Sequence, residues 1–389
     1  MKLSNLIFSA GFAVLALASC NKQVTTPHDT NLKSVEISLE NVKYTKSPTD
    51  VFLTSDDKVV LASFKIFLTD GVNVLKNIEG TEEQTFYYSS VSEALPDKAT
   101  IHYVPASVNK VVVVGNVAED WGSDITTYDA LKKAALDIDS QQDYTSLTLF
   151  GESGLTPAGT MHDHSNASYN LYSAQVQVAP LVARFEIDGF AIVFSKNESK
   201  YDKVEVKQIA LNNYYETTTI SPIAASALVD RVGAVNDVNA FKFFNENLDV
   251  TENNWYYDAL AEGEVVLARP AAADSEGNYI ATANMTSKKA YHFFPGDSAP
   301  QIFMQLNVYE TGSTTSTPSY IYSKGFKTTA GETVTFLPGY VYRMNFQGEA
   351  TGGDGDLPFD EDDINELDRC LEITVEVTKW NVVTVYPEF

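Results

Sequence analysis

Apolar and polar residues alternate strictly in short runs along this chain, and that rhythm constrains the fold more than any other feature. In "SVEISLENV", residues 34–42, Val35, Ile37 and Leu39 share one face, while Glu36, Ser38 and Glu40 share the other. A period of two with one apolar face is the pattern of a half-buried strand. The run "LASFKIFLTDG" puts Phe64, Ile66 and Leu68 on one face and stops at Asp70-Gly71, a turn signal. Further strands are expected in "TFYYSSV", "ATIHYVPA", "SLTLFGES" and "YSAQVQVAPLVARFEIDGF". "KVVVVGNV", residues 110–117, is apolar on both faces, which places it centrally in a covered sheet. Later, Val204 and Val206 run nearly in phase with Ile209, and the slip predicts a bulge. Ile302, Met304, Leu306 and Val308 share a face; the loop "TGSTTSTPS" and "YIYSKGF" complete a long-looped hairpin. "ETVTFLPGYVYRMNF" reads as two strands broken at Pro338-Gly339. The best helical pattern is "TYDALKKAALDI", residues 127–138, with Leu131, Ala134, Ala135 and Ile138 on one face and Asp129 near its start.

Many short strands separated by turn signals predict an all-β chain built from β-sandwiches, with few short helices. The 389 residues are enough for two of them in tandem. The seam is expected near residues 185–200, where "SKNESKYDK" is a polar break, dividing the chain into 47–188 and 189–389.

The start of the chain reads as a signal. Lys2 is followed by the apolar run 6–17 and then by "LASC". That run is about half the length a membrane-spanning helix needs. A short apolar core followed by small residues is a secretory signal, and a Cys at this place resembles the bacterial lipobox. Residues 1–20 are then a lipoprotein signal, with Cys20 as the lipidated new terminus. Each buried methylene adds about 0.8 kcal/mol, and two or more chains anchor stably. Cys370 then remains as a lone thiol, read as a small residue at a strand start, and no internal disulfide is expected. A net charge of −25 repels phosphate backbones, so no nucleic-acid partner is expected.

No catalytic constellation is legible. "HDH", residues 162–164, lacks a nearby third His or Cys, whereas zinc wants three or four protein ligands. "GDS", residues 296–298, has the look of a hydrolase nucleophile motif, but the last histidine, His292, precedes its Ser. The acidic tract "DGDLPFDEDDINE" opens like a calcium loop, yet Pro358 and Phe359 occupy positions that need a ligand and a Gly. It reads instead as a solvated linker, 352–368. The chain is accordingly read as non-enzymatic, with no metal and no cofactor.

The final stretch, "ITVEVTKWNVVTVYPEF", is strand-like to its end. Ile373, Val375 and Val377 share a face; past Lys379 the parity changes, and Trp380 and Val382 follow the other phase. Two short strands with a kink at Lys379-Trp380 are expected, packed in a monomer on the C-terminal sandwich. Together with the lipobox start, "VVVVGNV", "LVARFEI" and "LPGYVYRMNF", this ending resembles the fimbrillins of Bacteroidales, the major and minor fimbrial subunits. That resemblance spans the whole chain by order and spacing of elements. It implies two transthyretin-like β-sandwich domains, export as an outer-membrane lipoprotein and polymerisation into a surface fimbria (pilus) that mediates adhesion. In such shaft subunits an extracellular protease removes the first strand, usually after an Arg, and a strand from another subunit fills the groove. Mapped here, the pro-segment is 21–46, the lost strand is 35–42, and the donor pair lies within 371–389, with Ile373, Val375, Val377, Trp380 and Val382 as donor residues. This chain departs in one respect: its first Arg is Arg184. Cleavage is therefore expected after Lys43 or Lys46, or further on after Lys58, by a lysine-specific or broader protease. If the first strand stays, the chain is an anchor or tip subunit. The partners implied are other fimbrial subunits, the outer membrane through lipid on Cys20, and a receptor on a host or bacterial surface. A second class is a surface glycan-binding lipoprotein, using Tyr214-Tyr215 and "NNWYYD", residues 253–258, as aromatic platforms.

Overall fold

The computed structural model describes residues 32–40, 42–45, 58–61, 63–74, 86–88, 99–118, 120–143, 146–162, 168–194, 201–221, 228–229, 256–328, 333–346, 370–379 and 381–385. Cys20, Lys46, Asp163, His164, Trp255, Trp380 and the acidic tract 352–368 lie outside them. The regular structure of the described chain is nearly all strand, as the alternation requires.

The first half is a sandwich of two sheets. One has four strands in the order Thr156–His162, Ser168–Gln177, Leu32–Glu40, Ala99–Pro105. The other has five, in the order Ala179–Pro180, Leu149–Gly154, Lys110–Gly115, Phe64–Thr69, Phe86–Tyr88. Lys110–Gly115 is central and buried from Val111 onward, because valines on both faces suit a covered strand. Ser168–Gln177 crosses over Leu149–Gly154 and Lys110–Gly115 and joins the layers. The approach is closest at Gly151, where an added Cβ would stand 2.2 Å from the Gln177 carbonyl oxygen. Only glycine lets the two backbones come so near.

The expected helix over 127–138 is shorter than its pattern. Thr127 caps it by accepting from the Ala130 N–H, but it ends at Lys132. Ala135–Asp137 instead forms a strand against Thr217–Thr219, followed by a 3-10 turn over Ile138–Gln141. Leu131, Leu136 and Ile138 are buried all the same. Helix propensity is worth only tenths of a kcal/mol per residue, so a ladder to a distant strand overrides it.

In the second half one nine-stranded ladder supplies both layers. Its order is Tyr257–Ala259, Tyr201–Asn212, Gln301–Glu310, Ser316–Thr328, Cys370–Lys379, Tyr340–Phe346, Ala183–Phe194, Tyr279–Phe293, with Val266–Ala268 also on Tyr201–Asn212. The two ends of this path meet. Val266–Ala268 packs on both Ala183–Phe194 and Tyr279–Phe293. The buried Tyr291 hydroxyl donates to Asp258 Oδ2 at 2.8 Å, and Lys289 pairs with Asp258 at 3.2 Å. The expected bulge falls between Val206 and Gln208, and the expected hairpin pairs Tyr309 with Ser316.

Two expectations need correction here. The sheet-to-sheet change falls between Ala179–Pro180 and Ala183–Phe194, so residue 188 lies inside a strand of the second half. The polar break that suggested the seam follows that strand and marks its end. In "ETVTFLPGYVYRMNF" the described ladder strand is Tyr340–Phe346 alone. Phe336 before it serves as a plug, set edge-on to Phe185 at 5.2 Å, Phe293 at 5.3 Å and Tyr342 at 4.7 Å. Gly339, at φ 77°, makes the turn and donates its N–H to the Val182 carbonyl at 2.8 Å.

A buried polar group ties the halves together. Arg184 Nε donates to Glu186 Oε1 at 3.1 Å, and Arg184 Nη1 lies 2.9 Å from His292 Nε2. His292 Nδ1 is 2.7 Å from the Gln141 carbonyl. A carbonyl only accepts, so Nδ1 carries the proton and Nε2 accepts from the guanidinium. Burial first, then the Arg184 charge, pushes the His292 pKa down to about 3.

Candidate functional site

The strands that the sequence singles out are Leu32–Glu40 and Cys370–Lys379, with Asn381–Val385 after it. Leu32–Glu40 is the inner strand of the four-stranded sheet. It runs parallel to Ser168–Gln177, with Val35 against Tyr172 and Ile37 against Ala174. On its other side it runs antiparallel to Ala99–Pro105, with Val35 against Ile101 and a bulge between Lys33 and Val35. Val35 is 0% and Ile37 3% exposed. Burying each such side chain is worth about 1.5 to 3 kcal/mol.

Lys33 is a charged residue in the alternation, yet it is buried in this strand. Its ammonium donates to the carbonyls of Ala106 and Val108 and sits 4.4 Å from the Tyr172 ring centroid. Burial lowers its pKa from the usual lysine value. A lysine stem is apolar along most of its length, so a polar letter in the strand code conceals a residue that packs.

Among the described residues, Ala99–Pro105 pairs in its sheet with Leu32–Glu40 alone. Without Leu32–Glu40, that strand loses its ladder and Ser168–Gln177 is left with an open edge. Facing edges one strand apart, above an apolar floor, are a template for another strand.

The tail holds two strands, Cys370–Lys379 and Asn381–Val385; the expected kink residue Trp380 lies outside the described residues. Cys370–Lys379 lies inside the nine-stranded sheet, parallel to Ser316–Thr328 and antiparallel to Tyr340–Phe346. Ile373 pairs with Phe326, Val375 with Thr328 and Met344, and Val377 with Tyr342. Cys370 opens that strand. Asn381–Val385, however, leaves the C-terminal sandwich. It is the middle of a three-stranded parallel sheet, between Val42–Thr45 and Lys58–Val60. Lys43 lies in that sheet, opposite Val383, and Val382 faces Val42 and Val59. Only the first of the two expected tail strands therefore packs on the C-terminal sandwich.

Comparing the two end strands shows a correspondence that periodicity alone did not. Residues 34–38 read Ser-Val-Glu-Ile-Ser, and residues 374–378 read Thr-Val-Glu-Val-Thr. Each position holds the same residue or a close chemical equivalent. Both strands also have one parallel and one antiparallel neighbour. Aligning one end of the sequence against the other would have revealed this.

The aromatic-platform reading loses its first pair. Tyr214 and Tyr215 are 1% and 8% exposed. The Tyr215 ring covers Gly296, where a Cβ would meet it at 2.2 Å, and its hydroxyl accepts from the Ser298 N–H at 3.2 Å. Tyr256 and Tyr257 are half-buried. Among the described residues no group of three or more His, Cys, Asp and Glu side chains is placed to hold a metal ion.

No protein-family model and no curated protein matches the chain. Solved structures do match, over nearly its whole length. A candidate cell adhesion protein from Bacteroides eggerthii superposes at a TM-score of 0.51 and 15% identity, covering 91% of this chain and 98% of that one. The chain shares its fold. A second candidate cell adhesion protein, from Parabacteroides distasonis, gives 0.50 and 15%, covering 92% and 99%. The fimbrial anchor protein Mfa2 of Porphyromonas gingivalis matches at 0.33 and 6%, covering 90% and 98%; that score adds nothing to the fold assignment. The common fold is thus an all-β one shared with Bacteroidales proteins over both halves.

Proposed function

We propose that this chain is a structural, non-enzymatic subunit of a cell-surface fimbria with a role in adhesion. In this reading it is exported as a lipoprotein through Cys20 and joins its neighbours by strand exchange. The observation that carries the proposal is the inner position of Leu32–Glu40, followed at once by a segment with Lys43 and Lys46. A cut there converts the first strand from a covalent part of the sandwich into a bound peptide. A neighbour's 374–378 would then replace 34–38, with Val375 and Val377 taking the places of Val35 and Ile37. Register is enforced because a one-residue slip would turn both side chains to the wrong face. The shared fold and the names of the two adhesion proteins support this reading.

An unprocessed anchor or tip subunit is the second reading. It is favoured by the place of the first Arg: Arg184 is buried and bound to Glu186 and His292, so an arginine-specific protease has no site near the first strand. Electron microscopy of cells carrying the full chain or a chain lacking residues 373–389 tests the donor role. Filaments are expected only with the full chain; unchanged filaments after the deletion would refute it.

A further inference from the structure

The three-stranded parallel sheet brings the end of the chain onto the segment with the candidate processing lysines. Asn381–Val385 is its inner strand. Asn381 stands opposite Lys58, and Val383 stands opposite both Lys43 and Val60. One edge of each segment, Val42–Thr45 and Lys58–Val60, is thus engaged by the tail. A peptidase takes its substrate as an extended strand and hydrogen-bonds the backbone along its cleft, the same chemistry as strand addition. A strand held in a sheet on one edge cannot enter a cleft that closes around both of its edges until it comes away.

We propose that Asn381–Val385 shields the peptide bonds after Lys43 and Lys58, and that it must come away before a lysine-directed peptidase can cut there. This rests on the fimbrial reading only in taking a cut in this segment to be a step of assembly. In the cut itself water adds across the bond after Lys43, leaving a carboxylate on Lys43 and a new ammonium on Tyr44. The shield orders the events. A subunit whose tail is bound to its own N-terminal segment stays uncut after Lys43 and Lys58. One whose tail has moved to a neighbour exposes its lysines and becomes competent to lose its first strand. Cleavage and donation are then coupled through one short strand.

Digestion of the purified full chain with a lysine-specific endoproteinase tests this, with fragments followed by mass spectrometry. Three chains are compared: the wild type, Val382→Pro with Val383→Pro, and a chain ending at Trp380. Adjacent residues of an inner strand donate to opposite neighbours, so the two prolines remove ladder donors on both sides. Cleavage after Lys43 or Lys58 should rise at least tenfold in both altered chains, while cleavage after the exposed Lys133 stays the same. Adding the free peptide 379–389 to the shortened chain should slow the cut again, which separates shielding from general loosening. Equal rates in all three chains, or no protection by the peptide, would overturn the proposal. No filament enters this experiment. A chain that shows the tenfold change yet makes no filaments keeps the shield and loses the fimbrial reading; filaments with tail-independent digestion do the reverse.

Discussion

Between pH 6.5 and pH 3 the folded chain is expected to lose on the order of 5 kcal/mol of stability through one side chain, His292. The sign follows from which state binds the proton. The unfolded chain protonates its histidine near the ordinary value of 6.5, whereas the folded one resists until about pH 3. Stability from the neutral ring is therefore fully present above pH 6.5. It falls by about 1.4 kcal/mol for each unit below that, and the loss is complete once the folded group also titrates. The cause is structural. His292 is 2% exposed, its Nε2 is occupied by the Arg184 guanidinium, and its Nδ1–H is given to the Gln141 carbonyl across the junction of the halves. A second proton on the ring would face Arg184 directly. His292→Gln keeps an acceptor for Arg184 but cannot titrate. It should cost about 1 to 3 kcal/mol at neutral pH through the lost bond to Gln141. Its denaturation midpoint should then fall less steeply on acidification than that of the wild type. Parallel curves for the two proteins between pH 7 and pH 4 would show that His292 is not the titrating group.

Phe185→Ala is expected to destabilise the chain by about 3 to 5 kcal/mol. Phe185 is 0% exposed and stands at the centre of an aromatic cluster. Its ring centroid lies 4.3 Å from Phe293, 5.2 Å from Phe326, 5.2 Å from Phe336 and 6.5 Å from Tyr342. These rings come from strands of the nine-stranded ladder and from the plug before Tyr340–Phe346, so one truncation opens a cavity shared by several elements. Phe185→Leu fills part of that volume and should recover a good part of the loss. Urea unfolding measures both, and a loss below about 1 kcal/mol for the alanine variant would show that the cluster relaxes to close the hole.

Strand faces were easier to read than strand partners. Alternation at Val35 and Ile37, the buried run Val111 to Val114 and the slip between Val206 and Ile209 all reappear as strand geometry. They are local: a period of two states which face is apolar, whatever that face meets. Partners are decided over long separations, and there the reading fell short. Residues 135–137 carried a helical pattern but pair with Thr217–Thr219. Nothing in the sequence marks Arg184 and His292 as partners, and their contact across 108 positions is not legible in it. Composition turns polar at "SKNESKYDK", whereas the change of sheet occurs in the apolar stretch at Leu181-Val182, which polarity cannot mark. Within the candidate site, the first strand and the division of the tail were legible. The attachment of Asn381–Val385 to the N-terminal segment was not, since a valine-rich strand fits many edges.

The proposed departure of the first strand is best tested at the N-terminus of the protein in the fimbriae it is proposed to form. Subunits sheared from cells, separated and sequenced from the end should begin at Tyr44 or Ser47, after Lys43 or Lys46, and residues 21–43 should be missing. Subunits that still begin at a lipidated Cys20 within the filament would contradict strand replacement.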